Sequence, residues 1–260
     1  MDASDRGIVF PGRLPTFHRI RPPDSVADLV VWFWIPEWDL PPGEIARQQV
    51  ISFPASNLVV EADVVGLAGP TTTSSFRNLS GRGWAVGALL RPAAVPAFTE
   101  DPARLRDDYL RMDLPALHEV VATEMNSGAV PELRRAEAVA RFAEWVSEHV
   151  PAAEGEGLLA NAAVELLTSD SSVCTLGDAA AALHVAPRTL QRLATRYVGL
   201  SPTAMIRRRR LQEAAERLRD EPELSLAEVA VELGYSDHAH LTRDFRAVLG
   251  LSPSEYRRQH

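Results

Sequence analysis

The chemistry open to this chain is concentrated in arginines, two of which occupy equivalent places in a repeated setting. Leu190-x-Arg192 recurs as Leu241-x-Arg243, each on the second of two short amphipathic segments. A guanidinium fork matches the O6/N7 edge of guanine, and the amide of the neighbouring Gln191 matches the N6/N7 edge of adenine. Covalent and metal chemistry have few candidates. The single cysteine, Cys174, can neither bridge within the chain nor build a zinc site of several cysteines. Only His18, His118 and His149 precede residue 170, and none lies between 29 and 92, so a metal centre in the front half is not expected. P-loop, Gly-x-Ser-x-Gly and His-Glu-x-x-His patterns are absent. These residues point to a binding protein, not an enzyme, with no catalytic residues, no cofactor and no metal.

The elements that must carry the paired arginines are legible as an internal repeat. Thr175-Leu-Gly-Asp-Ala-Ala-Ala-Ala-Leu-His-Val185 aligns with Ser225-Leu-Ala-Glu-Val-Ala-Val-Glu-Leu-Gly-Tyr235, and Gly199-Leu-Ser-Pro202 with Gly250-Leu-Ser-Pro253. Each copy reads as a short helix, a turn and a second helix bearing the basic residue, which is the helix-turn-helix pattern. Ser225 with Glu228, and Ser252 with Glu255, form capping boxes. Gly199, Gly234 and Gly250 supply the backbone freedom that turns and helix ends need. Between the copies, Pro202 to Arg219 reads as one long helix with Met205, Ile206, Leu211, Ala215 and Leu218 towards a core. Its run Arg207-Arg208-Arg209-Arg210 points around the whole helix, which favours pairing with acids such as Glu213 and Glu216 over a single basic stripe.

With these pieces in place, residues 173 to 258 resemble the DNA-binding domain of the AraC/XylS family of bacterial transcription regulators. The resemblance is carried by Leu190-Gln-Arg-Leu193, Gly199-x-Ser-Pro202, Arg210-Leu211 with Ala214-Ala215, and Ala227-Glu-Val-Ala230. It continues through Leu233-Gly-Tyr235, Leu241-x-Arg-x-Phe245 and Gly250-x-Ser-Pro-x-x-Tyr-Arg257. Two departures stand in the first copy: Ala194 replaces an aromatic, and His184-Val185 replaces a Gly-aromatic turn. The resemblance implies two recognition helices entering successive major grooves of double-stranded DNA. Arg188, Thr189, Gln191 and Arg192 would face the DNA in the first, and His238, His240, Thr242 and Arg243 in the second, some touching phosphates instead of bases. It also implies a cytoplasmic regulator that acts at a promoter or operator, with RNA polymerase as a further partner.

The rest of the chain has a different character. Residues 1–170 carry 14 Arg against 24 acids and residues 171–260 carry 13 Arg against 11, so the net charge of −8 resides in the front. The short runs Leu29–Ile35, Val50–Phe53, Leu58–Glu61, Val64–Val65 and Trp84–Leu90, separated by Pro/Gly/Ser/Asn clusters, predict a β-rich unit of barrel or sandwich type. Its placement resembles the cupin-like sensor region of the same family. Trp32, Trp34, Phe53 and Trp84 are candidates for lining an apolar ligand pocket. Beyond it, Leu133, Ala136, Val139, Phe142, Val146 and Val150 predict one amphipathic helix, and Leu158 to Leu167 a second. The expected fold is α+β: a ligand-sensing domain over 1–112, a helical dimerisation segment over 113–170, and an all-α DNA-binding domain over 171–260. No apolar run is long enough to span a bilayer, and the acidic N-terminus argues against a secretory signal. The expected function is a homodimeric, effector-responsive regulator; the alternative is an effector-independent or partner-controlled one whose front domain only dimerises.

Overall fold

The computed structural model describes residues 16–50, 54–73, 75–221 and 223–258. Eight strands are described: β1 (Thr16–Ile20), β2 (Val30–Asp39), β3 (Ile45–Val50), β4 (Asn57–Glu61), β5 (Val64–Ala68), β6 (Ser75–Ser80), β7 (Arg82–Leu90) and β8 (Tyr109–Met112). Six form an antiparallel sheet in the order β1-β2-β7-β4-β5-β8, while β3 and β6 pair as a separate ribbon. Four of the five predicted runs lie in β2, β4, β5 and β7; most of the fifth, Val50–Phe53, lies outside the described residues. β1, β3, β6 and β8 escaped the sequence reading because Arg, Gln and Asn interrupt their apolar pattern.

Period-2 alternation orients the central strands. Phe33 lies opposite Ala88, and Trp34 opposite Gly87, so odd residues of β2 share a face with even residues of β7. That face carries Phe33, Ile35, Trp84, Val86 and Ala88 and is covered by α1 (Pro115–Met125) and α2 (Pro131–His149). Phe33 and Phe142 meet there with ring centroids 5.3 Å apart. Val139, Phe142, Val146 and Val150 are buried as their spacing predicted, but Leu133 and Ala136 are exposed. At the start of α2 the inward position passes to Arg135, which pairs with Glu37 at 2.7 Å and with Glu132 at 3.2 Å.

Helix α3 (Gly155–Ser169), which precedes residue 171, packs with the first motif. Its buried Ala160, Ala163 and Leu167 share a core with α4 (Leu176–Ala182), α5 (Pro187–Tyr197) and the first part of α6 (Pro202–Asp220). A second core joins the rest of α6 to α7 (Leu226–Glu232), α8 (His238–Leu249) and α9 (Pro253–Arg257). The repeat is thus two small cores strung on one helix, with α3 supplying a wall that the first copy would otherwise lack. Of the faces of α2 and α3 on which a dimer interface was expected, part packs within the chain, while Leu133, Ala136, Leu158 and Ala162 are exposed.

Candidate nucleic-acid interface

The caps that set each motif form as the residue types dictate. Thr175 with Asp178, Ser225 with Glu228 and Ser252 with Glu255 make reciprocal capping boxes, the first unnoticed in the sequence because Asp stands where Glu is usual. Each carboxyl is held below its ordinary range, first by the hydrogen bond from its Thr or Ser partner. The turn of the second motif uses Gly234 at φ +72°, and the first places His184 at φ +53° in the same left-handed region. Gly199, at φ +79°, has a second constraint. A Cβ there would lie 2.5 Å from the Ala103 nitrogen, and the Gly199 carbonyl accepts a hydrogen bond from Arg106 at 2.8 Å.

On α5, Leu190, Leu193, Ala194 and Tyr197 are buried while Arg188, Gln191 and Arg192 are exposed and Thr189 is half-buried. Ala194 therefore does occupy the core position where the family pattern has an aromatic. Arg192 is engaged within the chain: it forms an ion pair with Glu156 of α3, which also pairs with Arg196 at 2.8 Å. On α8, Leu241, Phe245 and Leu249 turn inward, His238 and Arg243 are exposed, and His240 and Thr242 are half-buried. The Asp237 side chain caps this helix, accepting from the His240 amide at 2.7 Å. Thr242 donates to the His238 carbonyl at 2.8 Å. Arg196 and Arg246 extend the exposed donor sets and were missed; their spacing of four and three residues from Arg192 and Arg243 is the signal that marks them.

Three of the four consecutive arginines tie α6 to its neighbours. Arg207 grips Asp244 of α8 with two nitrogens, and Asp244 is buried. Arg208 is buried, which pushes its guanidinium pKa down to about 9. Arg209 donates to the carbonyls of Asp170 and, at 2.9 Å, Val173, and pairs with Glu213 at 3.1 Å. Arg210 donates to the Cys174 carbonyl at 2.9 Å. The acids Glu213 and Asp244 and the linker carbonyls thus take up charge that a basic run would otherwise offer to a nucleic acid.

The predicted aromatic pocket does not assemble as one site. Trp32 and Trp34 lie on the sheet face opposite Trp84, because the strand pleat sends residues of unlike register apart, and Phe53 lies outside the described residues. Trp84 belongs to the helix-covered core and donates to Asn126 at 3.2 Å. Trp34 lies against Gly87 and donates to Asn57 at 2.9 Å. Trp32 instead borders a cavity of about 270 Å³ at the junction of the sheet with α3 and α5, together with Leu89, Arg91, Val164 and Val198. Among the described residues no group of His, Cys, Asp and Glu is placed to hold a metal, and no helix is long and apolar enough to cross a membrane.

Two helix-turn-helix units sharing one helix define the class of protein. Residues 179–259 match the family described as a helix-turn-helix domain, and residues 18–111 match a domain of unknown function, DUF6597. The uncharacterized HTH-type transcriptional regulator YfiF of Bacillus subtilis is 30% identical over 116 residues, covering 45% of this chain and 36% of its own. The transcriptional activator NphR of Rhodococcus is 34% identical over 137 residues, covering 47% and 40%. The chain thus spans about two fifths of the length of these relatives. Among solved structures, the C-terminal domain of AraT from Geobacillus stearothermophilus is 29% identical, with TM-score 0.35 over 39% of this chain and 85% of that one. ToxT from Vibrio cholerae is 12% identical, with TM-score 0.41 over 93% and 96%. Residues 179–259 are thus a helix-turn-helix domain, and the chain is similar to transcription regulators over 116 to 137 residues, in keeping with the AraC/XylS resemblance of its motifs.

Proposed function

We propose that this protein is a sequence-specific, DNA-binding transcription regulator that acts in the cytoplasm, without enzymatic activity, and answers to a small molecule through its front half. One observation carries the reading: α5 and α8 present equivalent exposed donors, Arg192 and Arg243, from equivalent places in two capped motifs on a single helix. Arg188, Thr189 and Gln191 accompany the first, and His238, His240 and Thr242 the second. The junction cavity beside α3 and α5 supports the effector reading over one in which the front domain only dimerises. A homodimer on DNA, with RNA polymerase as a further contact, is the arrangement we assign at a promoter.

The test is Arg243→Ala and Arg192→Ala in binding to duplexes selected from random-sequence DNA. Each substitution is expected to cost about 1–3 kcal/mol and to relax preference at one base position in its own half of the site. An equal loss on all sequences, with a shallower salt dependence, would make the residue a phosphate contact.

A further inference from the structure

Glu156 lies in the first turn of α3, outside both motifs, yet both of its oxygens are engaged by the recognition helix α5. Oε1 accepts from Arg192 and Oε2 from Arg196 at 2.8 Å, with the Tyr197 hydroxyl 3.4 Å from Oε2. The hydrogen bond from Arg192 holds the Glu156 carboxyl below its ordinary range, so the group is anionic at neutral pH. The pair is open to water, with the side chains of Arg192 and Arg196 52% and 58% exposed. A carboxylate on these two guanidinium groups takes the place that a phosphate or a guanine edge would take.

The same helix is fastened to the front half. Asn161 is buried; its Oδ1 accepts from the Ala93 amide at 2.9 Å and its Nδ2 donates to the Asp28 carbonyl at 2.8 Å. Glu165, one turn along α3 from Asn161, pairs with Arg91 just past the end of β7 at 3.1 Å. Gly157 packs on Ala93, leaving 3.2 Å between that methyl and the place of an added Cβ. One helix therefore carries a carboxylate that covers α5 and, along its length, the attachments to the sheet-side loops.

Among the described residues, no carboxylate forms an ion pair with Arg243 of the second motif. Asp244 is buried, pairs with Arg207 and lies 3.7 Å from His240, and Asp237 acts on Arg243 only through space: among the described residues Arg243 makes no hydrogen bond or ion pair. The two reading helices are alike in sequence and unequal in availability.

We propose that Glu156 is an autoinhibitory clamp on the first recognition helix: it occupies Arg192 and Arg196 in the DNA-free chain, and a shift of the first turn of α3, where Gly157 rests on Ala93 of the front half, releases them while the rest of α3 stays in the core of the motif. The inference rests on the reading that α5 contacts DNA, and deepens it by assigning the contact through which the front half controls that helix.

The experiment measures binding of the full chain, by fluorescence anisotropy at fixed salt, to a duplex it selects from random-sequence DNA. Glu156→Gln is expected to tighten binding about three- to tenfold, the range that two exposed ion pairs allow. Glu156→Asp, which keeps the charge but is too short to span both arginines, is expected to give a smaller gain and guards against a folding defect in the first variant. Glu154→Gln removes the same charge two residues away and is expected to leave affinity within about twofold. In an Arg192→Ala, Arg196→Ala background binding is expected to weaken, and Glu156→Gln to add nothing. An unchanged or weakened affinity for Glu156→Gln, or an equal gain from Glu154→Gln, overturns the clamp while leaving α5 as a DNA contact. Full affinity in the double-arginine variant overturns the DNA role of α5 itself, and the clamp with it.

Discussion

At the scale of single residues, the first motif carries a departure from its repeat partner with a measurable cost. His184 and Gly234 hold the same place in their turns and both have positive φ, but only glycine adopts that conformation freely. His184→Gly is expected to raise stability by about 1 kcal/mol, read as a higher denaturation midpoint with an unchanged denaturant slope. A loss of stability would mean that the imidazole makes a contact worth more than the strain. Arg207 shows the opposite relation between type and place. It looks like one charge in a basic run, yet it supplies two hydrogen bonds to the buried Asp244 and so fixes α8 against α6.

At the scale of elements, the capping boxes make the DNA-binding half sensitive to acid. Asp178, Glu228 and Glu255 have carboxyl pKa values lowered in the folded chain, each first by its Thr or Ser partner. A lowered folded pKa means that the unfolded state binds protons more readily. The stabilisation is complete above the unfolded carboxylate range and is lost as pH falls through the folded values. Melting temperature is therefore expected to fall between about pH 5 and pH 3, and Glu228→Gln to remove part of that dependence. Ser225→Ala should cost about 1 kcal/mol at neutral pH. A melting profile in which Glu228→Gln leaves the acid limb unchanged would show that other carboxylates dominate it.

Helix α3 is the element whose place decides how the molecule divides. Leu167 is buried against the first motif, and a side chain of that size contributes about 1.5–3 kcal/mol when buried. A fragment spanning 155–258 is expected to unfold cooperatively, and one spanning 171–258 to be less stable by at least that amount, compared by chemical denaturation. Equal stability of the two would place the boundary at residue 171.

At the scale of the whole molecule, α6 sets the distance between the two reading helices. Its 19 residues span about 28 Å, and a helix of that length is stiff. Major grooves on one face of DNA recur about every 34 Å, or about 10 base pairs. Guanine-N7 methylation interference on a selected duplex is expected to show two clusters per chain about 10 base pairs apart, with some bending of the DNA where the fixed spacing falls short. A single cluster would mean that one motif alone reads bases, and the covered α5 would be the silent one.

Elements whose signals are local could be read from the chain alone. Capping residues, a prolyl first turn and a 3.6-residue period act within a few residues of chain, so both helix-turn-helix copies, the long helix between them and the central strands β2, β4, β5 and β7 were legible. The outward places of Arg192 and Arg243 followed from the same period. Which faces meet was settled by packing between distant parts of the chain. The pleat set Trp84 on the far side of the sheet from Trp32 and Trp34, because that relation depends on the register of β2 with β7. The apolar stripe of α3 named no partner, since a stripe specifies that something must cover it and not what does; the fold gave it to the first motif. Glu156 lies 36 residues from Arg192, and a pairing that distant carries no local signature in either residue.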